Sequence, residues 1–359
     1  MYNIHLLPAS FGDSILIEYG NLSKKYILID GGPYFNFEIL IKSIKKIAPN
    51  LKELELLVIT HIDIDHIDGT ILLLNQKELP FKIKEIWFNG LNEMQEAHDD
   101  LLGVTQGEYI SALIRKHKLP HNISFNKKAV MVTDNNHLPI IKLADGMTIT
   151  LLGPNITGLE AMRLKWEDEV KAVRNESAIL KRLEGDSRYE EEIDDLLGCL
   201  SIEDMQKAIL KGDTSAANGS SIAFIATYKN ASCLFTGDLF SAYLQPALEA
   251  YLEKIDASVL KIDAWKLAHH GSKKSTLESV MKLIDTPNIL ISSDGKRYHH
   301  PDKETIAKIL KFKKGEINFY FNYTTQYNEM WNNQTLMKKY KYKAHYPKNN
   351  EENGISITL

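Results

Sequence analysis

The chain has little cysteine and no long apolar run. Only Cys199 and Cys233 occur among its 359 residues, and no charged segment followed by an apolar stretch opens the sequence. A disulfide framework and a secretory leader are therefore not indicated. No segment approaches the roughly 18 uninterrupted apolar residues of a membrane helix. We expect a soluble cytoplasmic protein that does not bind membranes.

An excess of positive charge is also missing. Lysine and arginine total 43 against 47 aspartates and glutamates, which gives a formal net charge of -4. This balance excludes a protein that is basic all over, although one basic groove remains compatible with it. Hydrophobic residues at 44% and charged residues at 25% are typical of a globular protein. No short internal repeat is present, which excludes a solenoid.

Strand and helix patterns alternate along the chain. The predicted strands are 3–7, 13–19, 25–30, 54–60, 85–88, 148–152, 221–228, 231–236, 259–268, 289–292 and 354–359. Helical spacing is found at 37–47, 239–253, 276–283 and 303–312, and Lys229-Asn230 is a predicted hairpin turn. Residues 155–213 are rich in Glu, Lys, Arg and Leu and predict a helical insertion. We expect a single mixed α/β domain over residues 1–359 that contains this insertion.

The segment from His61 to His66 carries four metal-ligand side chains within six residues: His61, Asp63, Asp65 and His66. Imidazoles and carboxylates packed so closely indicate a cation site. The segment follows the predicted strand 54–60 and precedes a helix predicted from Asp68, which places it on a loop. Positions 61, 63 and 65 would then point the same way along an extended backbone. A solvated polar loop is the alternative interpretation.

Two other predicted strands end in residues of the same kind. Asp238 follows the apolar strand 231–236 in a Gly-Asp pair, and His269 and His270 end the strand 259–268. A lone Gly-Asp is usually a turn, and a lone histidine is usually a surface or core residue. Three such strand ends in one chain favour a shared site.

Six segments together resemble the metallo-β-lactamase superfamily, in the branch typified by the hydrolase domain of the ComEC-type competence proteins, which take up DNA. They are Ile27–Gly32, His61–His66, Asn218–Ser221, Thr236–Asp238, His269–Ser272 and Tyr298–Pro301. The two histidine-rich segments beginning at His61 and His269 are the specific ones. The resemblance implies an αββα sandwich, here with a helical insertion, and a metal-dependent hydrolase.

The resemblance also implies a role for each matching residue. Asp65 and His66 would hold one metal together with His269 or His270, a choice that the sequence leaves open. His61 would hold a second metal, and Asp238 would bridge the two. Asp30 and Asn218 would support the ligands from behind.

Two departures from the family pattern affect the metal. Asp63 stands where the family usually has histidine, and Asn218 lies where many members supply another one. The site that contains His61 would then be rich in oxygen ligands, which favours Mn²⁺ or Mg²⁺ over Zn²⁺. We expect two divalent ions, Zn or Mn.

A hydroxide held between two metals is the nucleophile that this resemblance implies, with Asp65 or His300 managing protons. A phosphodiester suits such a site, and four basic residues near the predicted cleft would receive phosphates: Lys273, Lys274, Lys296 and Arg297. The predicted function is therefore a phosphodiesterase or nuclease that acts on nucleic acid or a nucleotide. For any one of these basic residues taken singly, ordinary surface charge is the better interpretation.

Two other functions remain open. The protein could hydrolyse a small ester, thioester or lactone, or it could be a non-catalytic scaffold of the same fold. By analogy with the branch, a protein partner in a defence or nucleic-acid-processing system is expected. The stretch 338–343, which interleaves Lys and Tyr, predicts either a single-strand binding stripe or an edge strand protected by lysines.

Overall fold

The computed structural model describes residues 1–94, 106–173, 201–313, 315–348 and 354–359. Within these ranges Cys233 is buried and forms no disulfide. None of the helices described there combines the length and apolar character needed to cross a bilayer. Cys199 lies outside the described residues.

The secondary structure alternates between short strands and helices, as predicted. The strands in chain order are β1 (Tyr2–Leu6), β2 (Ile15–Tyr19), β3 (Lys25–Ile29), β4 (Glu53–Leu54), β5 (Leu56–Val58), β6 (Lys82–Ile83), β7 (Ile86–Trp87), β8 (Ile140–Lys142), β9 (Met147–Gly153), β10 (Ala223–Tyr228), β11 (Ala231–Phe235), β12 (Leu260–Lys261), β13 (Ala264–Lys266), β14 (Ile284–Asp285), β15 (Asn288–Ile291), β16 (Ile317–Phe321), β17 (Tyr342–His345) and β18 (Ile355–Thr358). The α-helices are α1 (Phe37–Ile47), α2 (Ile64–Leu74), α3 (Leu91–Met94), α4 (Gln106–His117), α5 (Ile156–Val173), α6 (Ile202–Met205), α7 (Ala216–Gly219), α8 (Ser241–Lys254), α9 (Glu278–Met281), α10 (Lys303–Phe312) and α11 (Gln334–Tyr340).

Two large sheets form the centre of the fold. The smaller has the strand order β18-β1-β2-β3-β5-β7, and the larger has the order β17-β16-β15-β13-β11-β10-β9-β8. The strand predicted at 354–359 is β18, and it pairs antiparallel with β1 at the edge of the smaller sheet. The predicted hairpin is confirmed, because Tyr228 pairs with Ala231 and Lys229 has a φ of 57° in the turn between them.

Side-chain alternation along the strands separates two hydrophobic cores. In β3, Ile27 and Ile29 enter a core shared with the larger sheet, whereas Leu28 enters a second core with residues of α1 and α2, such as Leu40 and Ile67. Apolar residues of α8 and α10 pack into the first core from the larger sheet's side. The architecture is the predicted αββα sandwich, with helices outside two facing sheets.

The helix predicted from Asp68 begins earlier, at Ile64, and therefore includes the last three residues of the segment from His61 to His66. Asp63 is extended, with φ -68° and ψ 142°, and its carbonyl accepts the N–H groups of His66 and Ile67 at 2.9 and 3.0 Å. The expected extended alternation of positions 61, 63 and 65 is therefore wrong. Asp65 and His66 lie in the first helical turn, where neighbouring side chains diverge by about 100° per residue.

Three other segments differ from the prediction. The strand expected at 259–268 is divided into β12, which pairs with β14 in a separate small sheet, and β13, which joins the larger sheet. The helix expected at 276–283 is only the single turn α9. Lys338 and Lys339 lie on α11, and a residue in the left-handed region, Lys341 with a φ of 52°, separates this helix from β17.

The two interpretations of residues 338–343 therefore apply to different parts. A helix and a strand divide these residues, and the single-strand binding stripe stays a prediction. Tyr342 and Lys343 do lie on an edge strand, since β17 ends the larger sheet. For the insertion, the described parts of residues 155–213 include the helices α5 and α6, and residues 174–200 lie outside the described residues. The single-domain assignment stays a prediction.

Candidate metal centre

The predicted ligand segments meet where parallel strands of both sheets end. In the smaller sheet, β3 and β5 run parallel and end just before Asp30 and the segment at His61. In the larger sheet, β11 and β13 run parallel and end just before Asp238 and His269-His270. The carboxyl ends of parallel strands are the usual position of ligand sites in such sheets.

One group of donor atoms surrounds the side chain of His66. Its Nε2 lies 3.4 Å from Oδ1 of Asp238 and 3.8 Å from Oδ2 of Asp65. Oδ2 of Asp65 is in turn 3.3 Å from Nε2 of His270. Asp65 was predicted both as a ligand and as a catalytic group, and the structure places its carboxylate among the ligand atoms.

A second group lies on the other oxygen of Asp238. Its Oδ2 is 3.8 Å from Nε2 of His61 and 3.8 Å from Nε2 of His269, and His61 Nε2 is 3.6 Å from Oδ2 of Asp63. Asp238 therefore has His66 beside one oxygen and His61 and His269 beside the other. The sets whose ligand atoms all lie within 4.8 Å of one another, among the described residues, are His61, His66 and Asp238, and Asp65, His66 and His270. Of the two adjacent histidines, His270 lies beside Asp65 and His269 lies beside Oδ2 of Asp238. The Asp63 side chain is 42% exposed, so the second group is the more open of the two.

These buried atoms fit divalent cations. The Nε2 atoms of His61, His66 and His270 and Oδ1 of Asp238 are buried and have no hydrogen-bond partner among the described residues. Buried polar atoms without partners are costly. Two ligands that each lie about 2.1 Å from one tetrahedral cation are about 3.4 Å apart. The separations above, between 3.3 and 3.8 Å, match that spacing.

The carboxylates of Asp65 and Asp238 give the cluster negative charge, because the neighbouring imidazoles hold their pKa values below the usual range against burial. Burial raises the pKa of the Asp238 carboxyl, but the imidazoles, that of His66 first, hold this pKa well below its usual range. Burial lowers the pKa of His66, but Asp238 and Asp65 raise it well above its usual value. Negative charge of this kind attracts cations. Metal ligation requires an imidazole nitrogen that carries no proton. A divalent cation would therefore displace the proton from each ring nitrogen that binds it.

His66 is held from behind by Asp30, as the resemblance implied. Nδ1 of His66 lies 2.8 Å from Oδ2 of Asp30, which leaves Nε2 directed at the cluster. Asp30 also accepts the backbone N–H of Thr60 at 2.8 Å and the Thr60 hydroxyl at 2.7 Å. A carboxylate in this position fixes the tautomer and orientation of a ligating histidine.

His270 is held by residues that the sequence did not indicate. Its Nδ1 lies 2.9 Å from the carbonyl oxygen of Ser292 and 3.4 Å from Oδ1 of Asp13. The other oxygen of Asp13 accepts a hydrogen bond from Nζ of Lys266 at 2.6 Å. Burial lowers the pKa of His270, but Asp13 and Asp238 raise it to about 9. Lys266 lies inside the apolar strand before His269. This position could have predicted a buried acidic partner, because buried lysines are almost always paired.

His269 has a separate set of neighbours. Its Nδ1 lies 3.1 Å from Ser275 Oγ, 3.2 Å from Asn218 Nδ2 and 3.4 Å from Oδ2 of Asp213. Asn218 donates to the same oxygen of Asp213 at 2.7 Å. Asn218 was predicted to support the site and lies beside a candidate ligand. Asp213 was missed because it stands at the end of the predicted insertion, where nothing in the sequence connects it to His269.

His300 lies beside both histidines of the 269–270 pair. Its ring centroid is 5.3 Å from that of His269 and 6.5 Å from that of His270. Burial, and then the neighbouring imidazoles, lower the pKa of His300 well below its usual value. The ring is therefore neutral near pH 7 and retains an unprotonated nitrogen that can accept a hydrogen bond or a proton.

The four predicted phosphate-binding residues differ in their surroundings. Nζ of Lys273 is 3.2 Å from Glu304 Oε1 and 3.9 Å from Asp302 Oδ1, so these acids compensate its charge. Lys274 and Lys296 are exposed. The guanidinium of Arg297 packs over aromatic rings. Acidic neighbours therefore reduce the charge that Lys273 can offer to a phosphate, and phosphate binding by the four residues stays a prediction.

Known proteins are similar in sequence to parts of this chain. The model of the metallo-beta-lactamase superfamily matches residues 7–87, which include Asp30 and the segment from His61 to His66. Over 133 residues, 36% of the chain, the sequence is 30% identical to ComE operon protein 3 of Bacillus subtilis (strain 168). The match covers 16% of that protein, so this chain corresponds to a small part of its length.

Two solved structures are similar over nearly the whole chain. A diphosphatase from the PhnP family is 12% identical with a TM-score of 0.41, and the alignment covers 100% of this chain and 98% of that one. Zn(2+)-bound PqqB from Methylobacterium extorquens is 10% identical with a TM-score of 0.42, over 99% of this chain and 100% of that one. Residues 7–87 therefore match the metallo-beta-lactamase superfamily, and the chain resembles ComE operon protein 3 over 36% of its length.

Proposed function

We propose that the protein is a metal-dependent phosphodiesterase or nuclease that binds two divalent cations, one on each side of Asp238. The observation that supports this proposal is the pair of donor groups that share the two oxygens of Asp238, with their buried ring nitrogens left without partners. One cation would be held by His61, Asp63, His269 and Asp238. The other would be held by Asp65, His66, His270 and Asp238.

Bound cations would supply Lewis-acid stabilisation of charge on a phosphoryl group and would lower the pKa of water nearby. The protein's own residues would orient the reaction. Asp30 and Ser292 fix the ring orientations of His66 and His270. His300 would accept a hydrogen bond or a proton at an imidazole nitrogen, because its low pKa keeps the ring neutral.

The phosphodiester assignment is supported by the spacing and charge of the site. Divalent cations held by the residues around Asp238 would stabilise the charge that develops on a phosphoryl group. Lys274 and Lys296 lie exposed on the loops that carry His269 and His300, where they can attract an anionic substrate.

The proposal is tested by metal analysis combined with a substrate panel. The purified protein should contain divalent cations and should hydrolyse bis(p-nitrophenyl) phosphate with Mn²⁺, Zn²⁺ or Mg²⁺. Single-stranded DNA and RNA would be assayed beside it. Hydrolysis of a small ester, thioester or lactone with no cleavage of any phosphodiester would contradict the proposal. Absence of both bound metal and activity would indicate a scaffold.

Metal preference should depend on Asp63. Asp63→His replaces a carboxylate by an imidazole in the more open group, so activity restored after chelation should shift toward Zn²⁺ and away from Mn²⁺. The measurement is the ratio of the rates with the two metals for wild type and variant. Asp134→His, an exposed carboxylate elsewhere, is the control. A ratio unchanged by Asp63→His would show that Asp63 is not a ligand.

Removing His300 should affect turnover more than metal binding. His300→Ala removes an imidazole beside the cluster that belongs to neither donor group, so we expect kcat to fall by about 10²-fold or more. Metal content should remain that of the wild type. Mass spectrometry of metals and steady-state kinetics measure the two effects. A parallel loss of metal and activity would instead assign His300 to the ligand set.

A further inference from the structure

A row of aromatic rings leads from the candidate metal centre to the surface. The ring centroid of His300 lies 6.1 Å from that of Tyr298, and Tyr298 is 5.9 Å from Phe11. Phe11 is 6.0 Å from Phe35, which is 5.4 Å from Tyr34. The aromatic row is defined as Tyr34, Phe35, Phe11 and Tyr298. It joins three loops that are far apart in sequence, and it meets the candidate metal centre at His300.

The outer members of the row are open to solvent. Tyr34, Phe35 and Tyr298 are 64%, 51% and 42% exposed, whereas Phe11 is buried and supports the others. Scattered exposed apolar residues need no explanation, but a contiguous aromatic surface that adjoins a candidate active site indicates a binding surface. The function proposed above makes no use of it.

Hydrogen bonds fix the loops that carry the row. The N–H of Asp294 donates to the carbonyl of Ser10 at 2.8 Å, and the hydroxyl of Ser292 donates to the carbonyl of Gly12 at 2.8 Å. Asn36 donates to the hydroxyl of Ser10 at 2.9 Å. The loops that carry the rings are therefore held in place before any ligand arrives, which lowers the entropy cost of binding.

A positive charge lies within the row. The guanidinium carbon of Arg297 is 4.8 Å from the ring centroid of Phe11 and 5.2 Å from that of Tyr298. Exposed rings interspersed with cationic groups are the combination used to bind single-stranded nucleic acids, because bases stack on the rings and phosphates pair with the cations. A paired duplex keeps its bases stacked on each other and cannot offer their faces.

We propose that the aromatic row is a base-stacking site for single-stranded nucleic acid, with the scissile phosphate at the candidate metal centre and neighbouring bases on Tyr298, Phe35 and Tyr34. The inference rests on the proposed function, and it adds the substrate class and the residues that recognise it. Recognition then depends on bases as well as on phosphates, in agreement with the compensated charge of Lys273.

Binding of a labelled oligothymidylate dodecamer tests the inference. Fluorescence anisotropy would be measured with the full chain and with Ca²⁺ in place of an activating metal, and the oligomer would be checked for integrity on a gel. Tyr34→Leu/Phe35→Leu should weaken binding about tenfold or more, because stacked rings are removed at a distance from the metal ligands. Tyr109→Leu removes a ring that is 51% exposed on α4, outside the row, and should bind like the wild type.

An abasic dodecamer with the same phosphates separates stacking from charge attraction. The wild type should bind it more weakly than the thymidylate, and the double variant should bind it as the wild type does. Equal thymidylate binding by wild type and double variant, or no preference of the wild type for bases over abasic sites, would overturn the inference. Hydrolysis of bis(p-nitrophenyl) phosphate by the wild type is a separate readout. Its absence would refute the phosphodiesterase while leaving a stacking result intact.

Discussion

Asp238→Ala should remove both cations and abolish activity. Each oxygen of this carboxylate faces a different donor group, at 3.4 Å from His66 Nε2 on one side and 3.8 Å from His61 and His269 Nε2 on the other. Its loss therefore takes one ligand from both cations and the negative charge that attracts them. We expect bound metal to fall close to zero and kcat to fall by about 10³-fold or more. Mass spectrometry of metals after dialysis measures the first effect.

Variants on one side of Asp238 provide the matched comparison. His61→Ala and His269→Ala each alter only the second donor group, so about half of the bound metal should remain in either variant. Asp238→Asn keeps the shape of the side chain and removes its charge, which separates packing from electrostatics. A circular dichroism spectrum confirms that each variant is folded. Equal metal content in wild type and folded Asp238→Ala would exclude the shared-carboxylate arrangement.

Lys266→Met should destabilise the protein strongly. Lys266 and Asp13 are each only 1% exposed, and Lys266 Nζ donates to Asp13 Oδ2 at 2.6 Å. Burial raises the pKa of Asp13, but the Lys266 ammonium, more than the neighbouring His270, holds this pKa well below its usual range. Removing it leaves a buried carboxylate without its cation, which costs about 3–5 kcal/mol. Thermal unfolding in the presence of a chelator measures the loss without a contribution from bound metal.

Two further variants test whether the loss of stability comes from a buried charge left without its partner. Lys343→Met breaks a surface pair with Glu316 and should change stability by about 0.5 kcal/mol or less. Asp13→Leu/Lys266→Met replaces both charges by apolar groups and should be more stable than Lys266→Met alone, because no uncompensated charge remains buried. A Lys266→Met variant as stable as the wild type would mean that Asp13 takes up a proton at no cost.

The candidate ligands were predictable because their chemistry is local. Four ligand-type side chains fall within residues 61–66, and Asp238 and His269-His270 each follow an apolar strand. Strand ends are recognisable from periodicity, and the parallel strands β3, β5, β11 and β13 bring those ends to one edge. The partners behind the ligands were not predictable. Asp13 lies 257 residues before His270, and no local pattern connects them.

Local patterns in the sequence predict the alternation of strands and helices, the helices at 37–47 and 303–312, and the residue types available for a metal. These follow from periodicity and side-chain chemistry, which act over a few residues. The tertiary fold places the start of α2 at Ile64, and it places His269 beside Asp238 and His270 beside Asp65. It also decided that loops from three parts of the chain place Phe11, Phe35 and Tyr298 in one row. Such arrangements depend on strand order and on the packing of two sheets, because contacts between residues distant in sequence exist only after the chain has folded.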